Sequence, residues 1–166
     1  MERFPEPAFS LLQRRVFNEL EQDANASGPV PAAKTGTTAA ARAHPPMFRL
    51  GAYERGELVG WSYGWIERDN VFYMANSGVV ETHRRRGIYT MLIKGMLRHA
   101  SSVGASAIRS RHSVVNRPVI IAKLREGFII SGLSQSARMG TLVELTMHLD
   151  AELQALYGRR ALPCRS

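Results

Sequence analysis

Residues 84–89 read Arg84-Arg85-Arg86-Gly87-Ile88-Tyr89, and they join two segments with different hydrophobic patterns. An apolar run over residues 71–80 precedes them, and an amphipathic run over residues 88–103 follows them. This order predicts a strand, a basic glycine turn and a helix. The first amides of a helix have no intrahelical acceptor and carry partial positive charge, which suits a phosphate, and arginines add fork-shaped donors. The stretch therefore predicts a site for a phosphorylated ligand.

Composition places the chain among ordinary globular domains. It has 166 residues, of which 45% are hydrophobic and 22% are charged. We expect a cytoplasmic protein, because the sequence has one cysteine, Cys164, no secretory leader and no apolar run of about 18 residues. The net charge of +8 favours an anionic partner such as a nucleotide cofactor, RNA or an acidic protein. A general preference for arginine explains that charge equally well.

Hydrophobic periodicity and turn residues divide the whole chain into elements. A helix is predicted over residues 10–23, followed by a long loop over residues 24–46. Strands are predicted over residues 47–53, 58–66, 71–80, 106–114, 128–132 and 141–149, helices over 87–103 and 118–125, and a helical turn over 151–157. We expect a single domain of mixed α/β (α+β) class, with a mostly antiparallel central sheet flanked by helices. Within it, residues 1–46 form the N-terminal helix and loop, 47–150 the core and 151–166 a basic tail.

The order of elements and three short motifs resemble the GNAT acetyltransferase superfamily. In that family an Arg/Gln-x-x-Gly-x-Gly/Ala turn joins a central strand to a helix and binds the pyrophosphate of coenzyme A. Arg84 and Gly87 match this turn, whereas Tyr89 replaces the small residue, so its ring is expected to point away from the phosphates. Asn116 after the next strand and Gly127-Phe128 after the following helix also match. The resemblance covers about residues 47–149 and implies an acyl-CoA-dependent N-acyltransferase that uses acetyl-CoA and no metal.

The resemblance assigns coenzyme-binding roles to ten residues. Amides around Gly87 would hold the pyrophosphate, and the end of the preceding strand would pair with the pantetheine arm and polarise the thioester carbonyl. Asn116 would bond the pantetheine or the strand-end backbone, with a bare helix cap as the alternative. The ten residues are Val79, Val80, Arg84, Arg85, Arg86, Gly87, Ile88, Tyr89, Thr90 and Asn116.

The residues that would transfer protons are supported by fewer sequence features than the coenzyme-binding residues. Many family members have a tyrosine that acts as the general acid about seven residues after the asparagine, where this chain has Lys123. A lysine there protonates or stabilises a thiolate if burial lowers its pKa, but an exposed helix lysine is the more common case. Tyr73 and Glu81 are the other catalytic candidates, although Glu81 is better explained as a solvated charge or as a partner of the arginines.

Aromatic and polar side chains on the central strands form a candidate surface for the acceptor. They are Trp61, Tyr63, Trp65, Asn76 and His112. The first three alternate along one strand and share a face, for which core packing is the alternative. The acceptor would be an amine of a small molecule, of a peptide or protein, or of an aminoacyl-tRNA. No membrane partner is expected, and a homodimer is left open. The rival hypothesis is a non-catalytic basic module of the same fold that binds nucleic acid or another polyanion.

Overall fold

A computed structural model describes residues 12–13 and 46–161 of the chain. Within them one mixed sheet contains strands β1 (Phe48–Glu54), β2 (Glu57–Ile66), β3 (Val71–Val79), β4 (Ala107–Ser113), β5 (Ile129–Ser136) and β6 (Gly140–His148). Helices α1 (Ile88–Ser102), α2 (Arg117–Arg125) and α3 (Ala151–Ala161) flank it, and Glu81–His83 form a 3-10 turn. The predicted fold class is therefore confirmed.

The N-terminal predictions fall almost wholly outside this region. Of the helix predicted over residues 10–23, the structure describes Leu12 and Gln13, which are helical. The loop predicted over residues 24–46 lies outside the described residues except for Pro46. The division of the chain at residues 46 and 150 stays a prediction.

The order of strands across the sheet is β1-β2-β3-β4-β6-β5. Neighbouring strands are antiparallel except for β3 and β4, which are parallel. Parallel neighbours need a crossover connection, and α1 provides it. The turn of residues 84–89, which was predicted to bind a phosphate, therefore lies where the chain leaves the middle of the sheet.

β3 and β4 pair over only three residues each, from Val71 opposite Ala107 to Tyr73 opposite Arg109. Residues 74–79 of β3 and 110–113 of β4 continue without pairing to each other, and we call the space between them the β3–β4 opening. β3 has a bulge where the β3–β4 opening begins, because the pairing of β3 with β2 skips Ala75. The strands thus part after Tyr73, before the strand end at Val79 and Val80 that the resemblance assigns to the pantetheine arm.

The main core lies between α1 and one face of the sheet. It includes Phe72 and Met74 of β3 and Ile93, Met96 and Ala100 of α1, all buried. Trp61 on β2 centres a second cluster, with Leu12, Leu58, Tyr63 and Val80 around it. The two clusters occupy opposite faces of the sheet, because Trp61 and its neighbours alternate with the residues that face α1.

Two elements are longer than predicted. β5 continues to Ser136 rather than Gly132, because its polar residues 134–136 still pair through their backbone with β6. α3 continues to Ala161, so the first part of the predicted basic tail is helical. Arg159 and Arg160 fall in the last helical turn, where cations interact favourably with the helix dipole.

Candidate functional site

The turn between β3 and α1 depends on two residues with left-handed backbone. Arg85 has φ 61° and Gly87 has φ 80°. Gly87 is the N-cap of α1, and a Cβ built on it would meet nothing within 4 Å. Space is therefore available beside Gly87, and glycine is favoured there because other residues are strained at that φ.

The first amides of α1 are available to a ligand. The first N–H to bond back is that of Met91, which donates to the Gly87 carbonyl at 3.0 Å. Within the described region, the N–H groups of Ile88, Tyr89 and Thr90 have no acceptor. No acidic residue lies in the first turn of α1. The positive end of the helix is therefore uncompensated by local carboxylates, as an anion site requires.

The three arginines of the turn are exposed, but they differ in their contacts. Arg84 Nε donates to the carbonyl of Val79 at 3.3 Å, so this side chain folds back on the strand end. Arg86 Nη1 lies 3.7 Å from the Glu54 carboxylate, which also contacts His83 Nε2 at 2.9 Å. Glu54 was missed from the sequence, because it reaches the turn from the distant β1–β2 hairpin. Glu81, a catalytic candidate that a solvated charge also explains, is exposed in the 3-10 turn.

At the end of β3, one residue directs its backbone N–H and C=O away from β2. Val80 N–H donates to the Val59 carbonyl of β2 at 3.0 Å. Successive peptide groups in an antiparallel strand alternate in direction, so the N–H and C=O of Val79 point away from β2. The Arg84 contact to the Val79 carbonyl agrees with this direction. Of the two valines proposed as carbonyl-polarising groups, Val79 has the appropriate orientation.

Lys123 is buried, with 0% of its surface exposed. Its Nζ lies 3.1 Å from Met74 Sδ and 4.5 Å from the centre of the Phe128 ring. Met74 is the first β3 residue after the last pair with β4, so this amine lies at the closed end of the β3–β4 opening. Burial lowers the pKa of Lys123 to about 7. The expectation of an exposed helix lysine was wrong.

Hydrophobic pattern gave no signal for this burial. Lys123 is the one buried residue of α2, whereas Ile121 and Leu124 of the same helix are 47% and 41% exposed. The orientation of α2 is set by its contacts with the rest of the fold, which override the preference of lysine for water. The position of the tyrosine in related proteins was the only sequence signal that pointed to Lys123.

His112 and Tyr73 are both poor bases in these surroundings. Burial, together with the nearby charge of Lys123, lowers the pKa of His112 to about 3, and its Nε2 lies 3.1 Å from Ser110 Oγ. Burial raises the pKa of Tyr73, although the Arg111 guanidinium, 5.9 Å from its ring centre, opposes the shift. His112 therefore stays neutral and Tyr73 stays a protonated phenol near neutral pH.

The predicted acceptor residues separate into packing and surface groups. Trp61 is fully buried, and its indole N–H donates to Asn76 Oδ1 at 2.8 Å, so core packing accounts for this pair. Trp65 is half-buried beside Tyr73, with ring centres 5.4 Å apart. Tyr63 packs against Trp61. Trp65 and Tyr73 are thus the better placed to meet a ligand on this face.

An ion pair beside this face was not predicted. Arg111 Nε lies 2.9 Å from Glu144 Oε2 across β4 and β6. The two residues are 33 positions apart and meet only through the register of two antiparallel strands.

Asn116 occupies the N-cap position of α2, yet its side chain makes no capping hydrogen bond and so stays available to a ligand.

Other kinds of site find no support in the described part of the chain. No group of three His, Cys, Asp or Glu side chains there is arranged to hold a metal ion. None of the helices there is both long and apolar enough to cross a bilayer.

Comparison with known proteins identifies the family. The model of the acetyltransferase (GNAT) family matches residues 14–120, and the chain belongs to this family. No curated protein shows significant sequence similarity to it. The predicted family membership is thereby confirmed.

Solved structures share the fold at low sequence identity. Nourseothricin acetyltransferase has a TM-score of 0.59 and 22% identity, over 64% of this chain and 67% of that one. The ribosomal-protein-S18-alanine N-acetyltransferase from Escherichia coli has a TM-score of 0.57 and 10% identity, over 63% and 70%. A Bacillus subtilis acetyltransferase in complex with CoA has a TM-score of 0.56 and 17% identity, over 61% and 76%. At such identities the likeness shows the fold.

Proposed function

We propose that this protein is an N-acetyltransferase that transfers the acetyl group of acetyl-CoA to a primary amine. One observation carries the proposal: three unbonded amides at the start of α1 lie next to a parallel strand pair that opens after three residues. The amides suit a diphosphate, and the unpaired strand edge suits an extended, amide-containing arm. Coenzyme A has both parts, and a related structure was solved with it.

The residues at the turn and at the strand end fit the parts of the coenzyme in order. The amides of Gly87, Ile88, Tyr89 and Thr90 would hold the diphosphate. Arg85 and Arg86 are exposed and would meet the ribose phosphate. Along β3, the outward N–H of Val79 would donate to the carbonyl of the acyl group, and Asn116 would bond the pantetheine arm. These assignments rest on position and on free hydrogen-bonding groups.

Acetyl-CoA, when bound, supplies an activated acetyl thioester. In the transfer, a bond forms between the amine nitrogen and the acetyl carbon, the carbon–sulfur bond breaks, and the amine proton leaves to water. Lys123 Nζ holds a proton for the departing thiolate. Its pKa of about 7 lies below the pKa of about 8.5 of an ordinary thiol, so transfer of this proton to sulfur is favourable.

The acceptor is proposed only as a class. Trp65 and Tyr73 offer aromatic surface, and Arg111 with Glu144 adds a polar pair beside it. The names of similar structures include a nourseothricin acetyltransferase and a ribosomal-protein-S18-alanine N-acetyltransferase. We therefore propose an amine of a small molecule, of a peptide or protein, or of an aminoacyl-tRNA as the acceptor.

Release of free thiol from acetyl-CoA, measured across a panel of amines, tests the proposal. Wild-type protein should release thiol with at least one class of amine, and Gly87→Asp should abolish release, because its carboxylate would face the phosphates. Acetyl-CoA should also stabilise the wild-type fold by about 2.7 kcal/mol at a hundredfold excess over Kd. Salt-sensitive RNA binding without thiol release or stabilisation by acetyl-CoA would favour the polyanion-binding alternative instead.

A further inference from the structure

Tyr89, in the first turn of α1, buries a hydroxyl group that has no hydrogen-bond partner within the described part of the chain. The residue as a whole is half-buried, but its hydroxyl oxygen is inaccessible. The ring packs against the main core and so points away from the amides of the turn, as expected from the sequence. Burial raises the pKa of Tyr89, so the hydroxyl stays protonated and acts as a donor.

Contacts of two glycines show which side of α1 faces which strands. A Cβ on Gly60 of β2 would lie 3.1 Å from Ile88 Cγ2, and one on Gly95 of α1 would lie 2.3 Å from Leu50 Cδ2 of β1. The side of α1 that carries Ile88 and Gly95 therefore covers β1 and β2. Tyr89 shares the other buried side, at helical spacing with the core residues Ile93, Met96 and Ala100.

The same contacts show which part of β3 lies beside Tyr89. Gly60, which touches Ile88, pairs with Val79 at the end of β3. The first turn of α1 thus lies beside the part of β3 that has no pairing with β4. Side chains on a helix lean towards its N-terminus, which keeps the Tyr89 ring at this level. Tyr89 and Lys123 therefore both place a polar group in the core that borders the β3–β4 opening.

Protein interiors rarely leave a buried hydroxyl without a partner, because burial removes its hydrogen bond to water. A phenylalanine would fill the same volume without this cost. A hydrogen-bond acceptor on a bound ligand would supply the missing partner of this hydroxyl. We propose that the Tyr89 hydroxyl donates a hydrogen bond to the pantetheine arm of the coenzyme in the β3–β4 opening, which makes Tyr89 a positioning residue. The inference rests on the proposed use of acetyl-CoA.

Tyr89→Phe tests the inference through two effects of opposite sign. Without ligand, the melting temperature should rise by about 2–4 °C, because an unpaired hydroxyl is removed from the interior. The Kd for acetyl-CoA should rise between about twofold and tenfold, the usual effect of one lost hydrogen bond. The Kd for 3′-phospho-ADP, the half of coenzyme A without the pantetheine arm, should not change. Tyr53→Phe is the matched control, because Tyr53 is 40% exposed on β1, and it should change none of these values.

The outcomes separate this inference from the proposed function. If wild-type protein binds acetyl-CoA and Tyr89→Phe binds it equally well, the inference is overturned and the proposed function stands. A lower melting temperature in Tyr89→Phe, or equal weakening of both ligands, also overturns it, because the hydroxyl would then have a structural role. If wild-type protein binds neither ligand, the inference and the proposed function fail together.

Discussion

Lys123 Nζ lies 3.1 Å from Met74 Sδ, in a position where no part of the lysine reaches solvent. A thioether is a weak acceptor and does not replace the hydration of an ammonium group. The Phe128 ring, 4.5 Å away, offers only a cation–π contact. The consequence is an amine with a pKa of about 7 at the point where β3 and β4 part.

Replacing this amine should separate catalysis from stability. Lys123→Met should lower the rate of thiol release by about a hundredfold, the low end of the usual effect of a proton donor. The free energy of unfolding at pH 7 should stay equal or rise, because an apolar chain of similar length needs no hydration in this site. Steady-state kinetics and denaturant titration measure the two effects.

Lys94→Met is the control for Lys123→Met. Lys94 is on α1, and its side chain is 56% exposed at 3.8 Å from Glu126. Such surface pairs contribute at most about 1 kcal/mol, so the rate should stay close to that of wild type. Unchanged activity in Lys123→Met would remove Lys123 from the mechanism.

The buried lysine should also make stability depend on pH. The pKa of Lys123 is about 7 in the folded protein against 10.5 for the ordinary side chain, so between these values the unfolded chain binds more protons. Stability should therefore rise with pH across this window, by up to about 1.4 kcal/mol per pH unit. Denaturant titrations of wild type and Lys123→Met at pH 7 and pH 9 measure how much Lys123 contributes to the pH dependence of the free energy of unfolding. The stability of wild type relative to Lys123→Met should rise from pH 7 to pH 9, and an unchanged difference would contradict the assigned pKa.

Gly64 of β2 should tolerate no side chain. A Cβ there would lie 2.2 Å from the Tyr73 carbonyl oxygen and 2.6 Å from Phe72 Cε1. Backbone beside the β3 bulge cannot move away easily, so Gly64→Ala should destabilise the fold by about 3 kcal/mol. Gly132→Ala is the control, because a Cβ there would lie 3.9 Å from its nearest neighbour, Glu144 Cβ. Thermal unfolding of both variants measures the difference in stability. Similar melting temperatures would show that the strand adjusts to the added Cβ.

The two ends of α1 allow a matched test of the turn. Gly87 and Gly104 have similar φ values of 80° and 74°, and a Cβ on either would meet nothing within 4 Å. Alanine should therefore cost about 1–2 kcal/mol of stability at both positions. Only Gly87→Ala should weaken the binding of acetyl-CoA, because Gly104 lies at the opposite end of the helix. Calorimetric titration measures the affinities, and an equal loss in both variants would assign the effect to strain.

Local sequence patterns determined the element order, the turn and its glycine. An apolar run, a basic glycine turn and an amphipathic run each act over a few neighbouring residues, so their outcome could be predicted without knowing the packing. The positive φ of Gly87 and the helix start at Ile88 follow from such short-range rules. The same patterns carried the resemblance that the family match then confirmed.

Tertiary structure alone decided the features that give the site its chemistry. The parting of β3 and β4 after Tyr73, the burial of Lys123 against Met74 and the contact of Glu54 with Arg86 each join segments far apart in the chain. The unpaired hydroxyl of Tyr89 likewise depends on which strands α1 covers. These properties arise from strand register and helix orientation, which are fixed by the packing of the whole core and leave no short-range signal in the sequence.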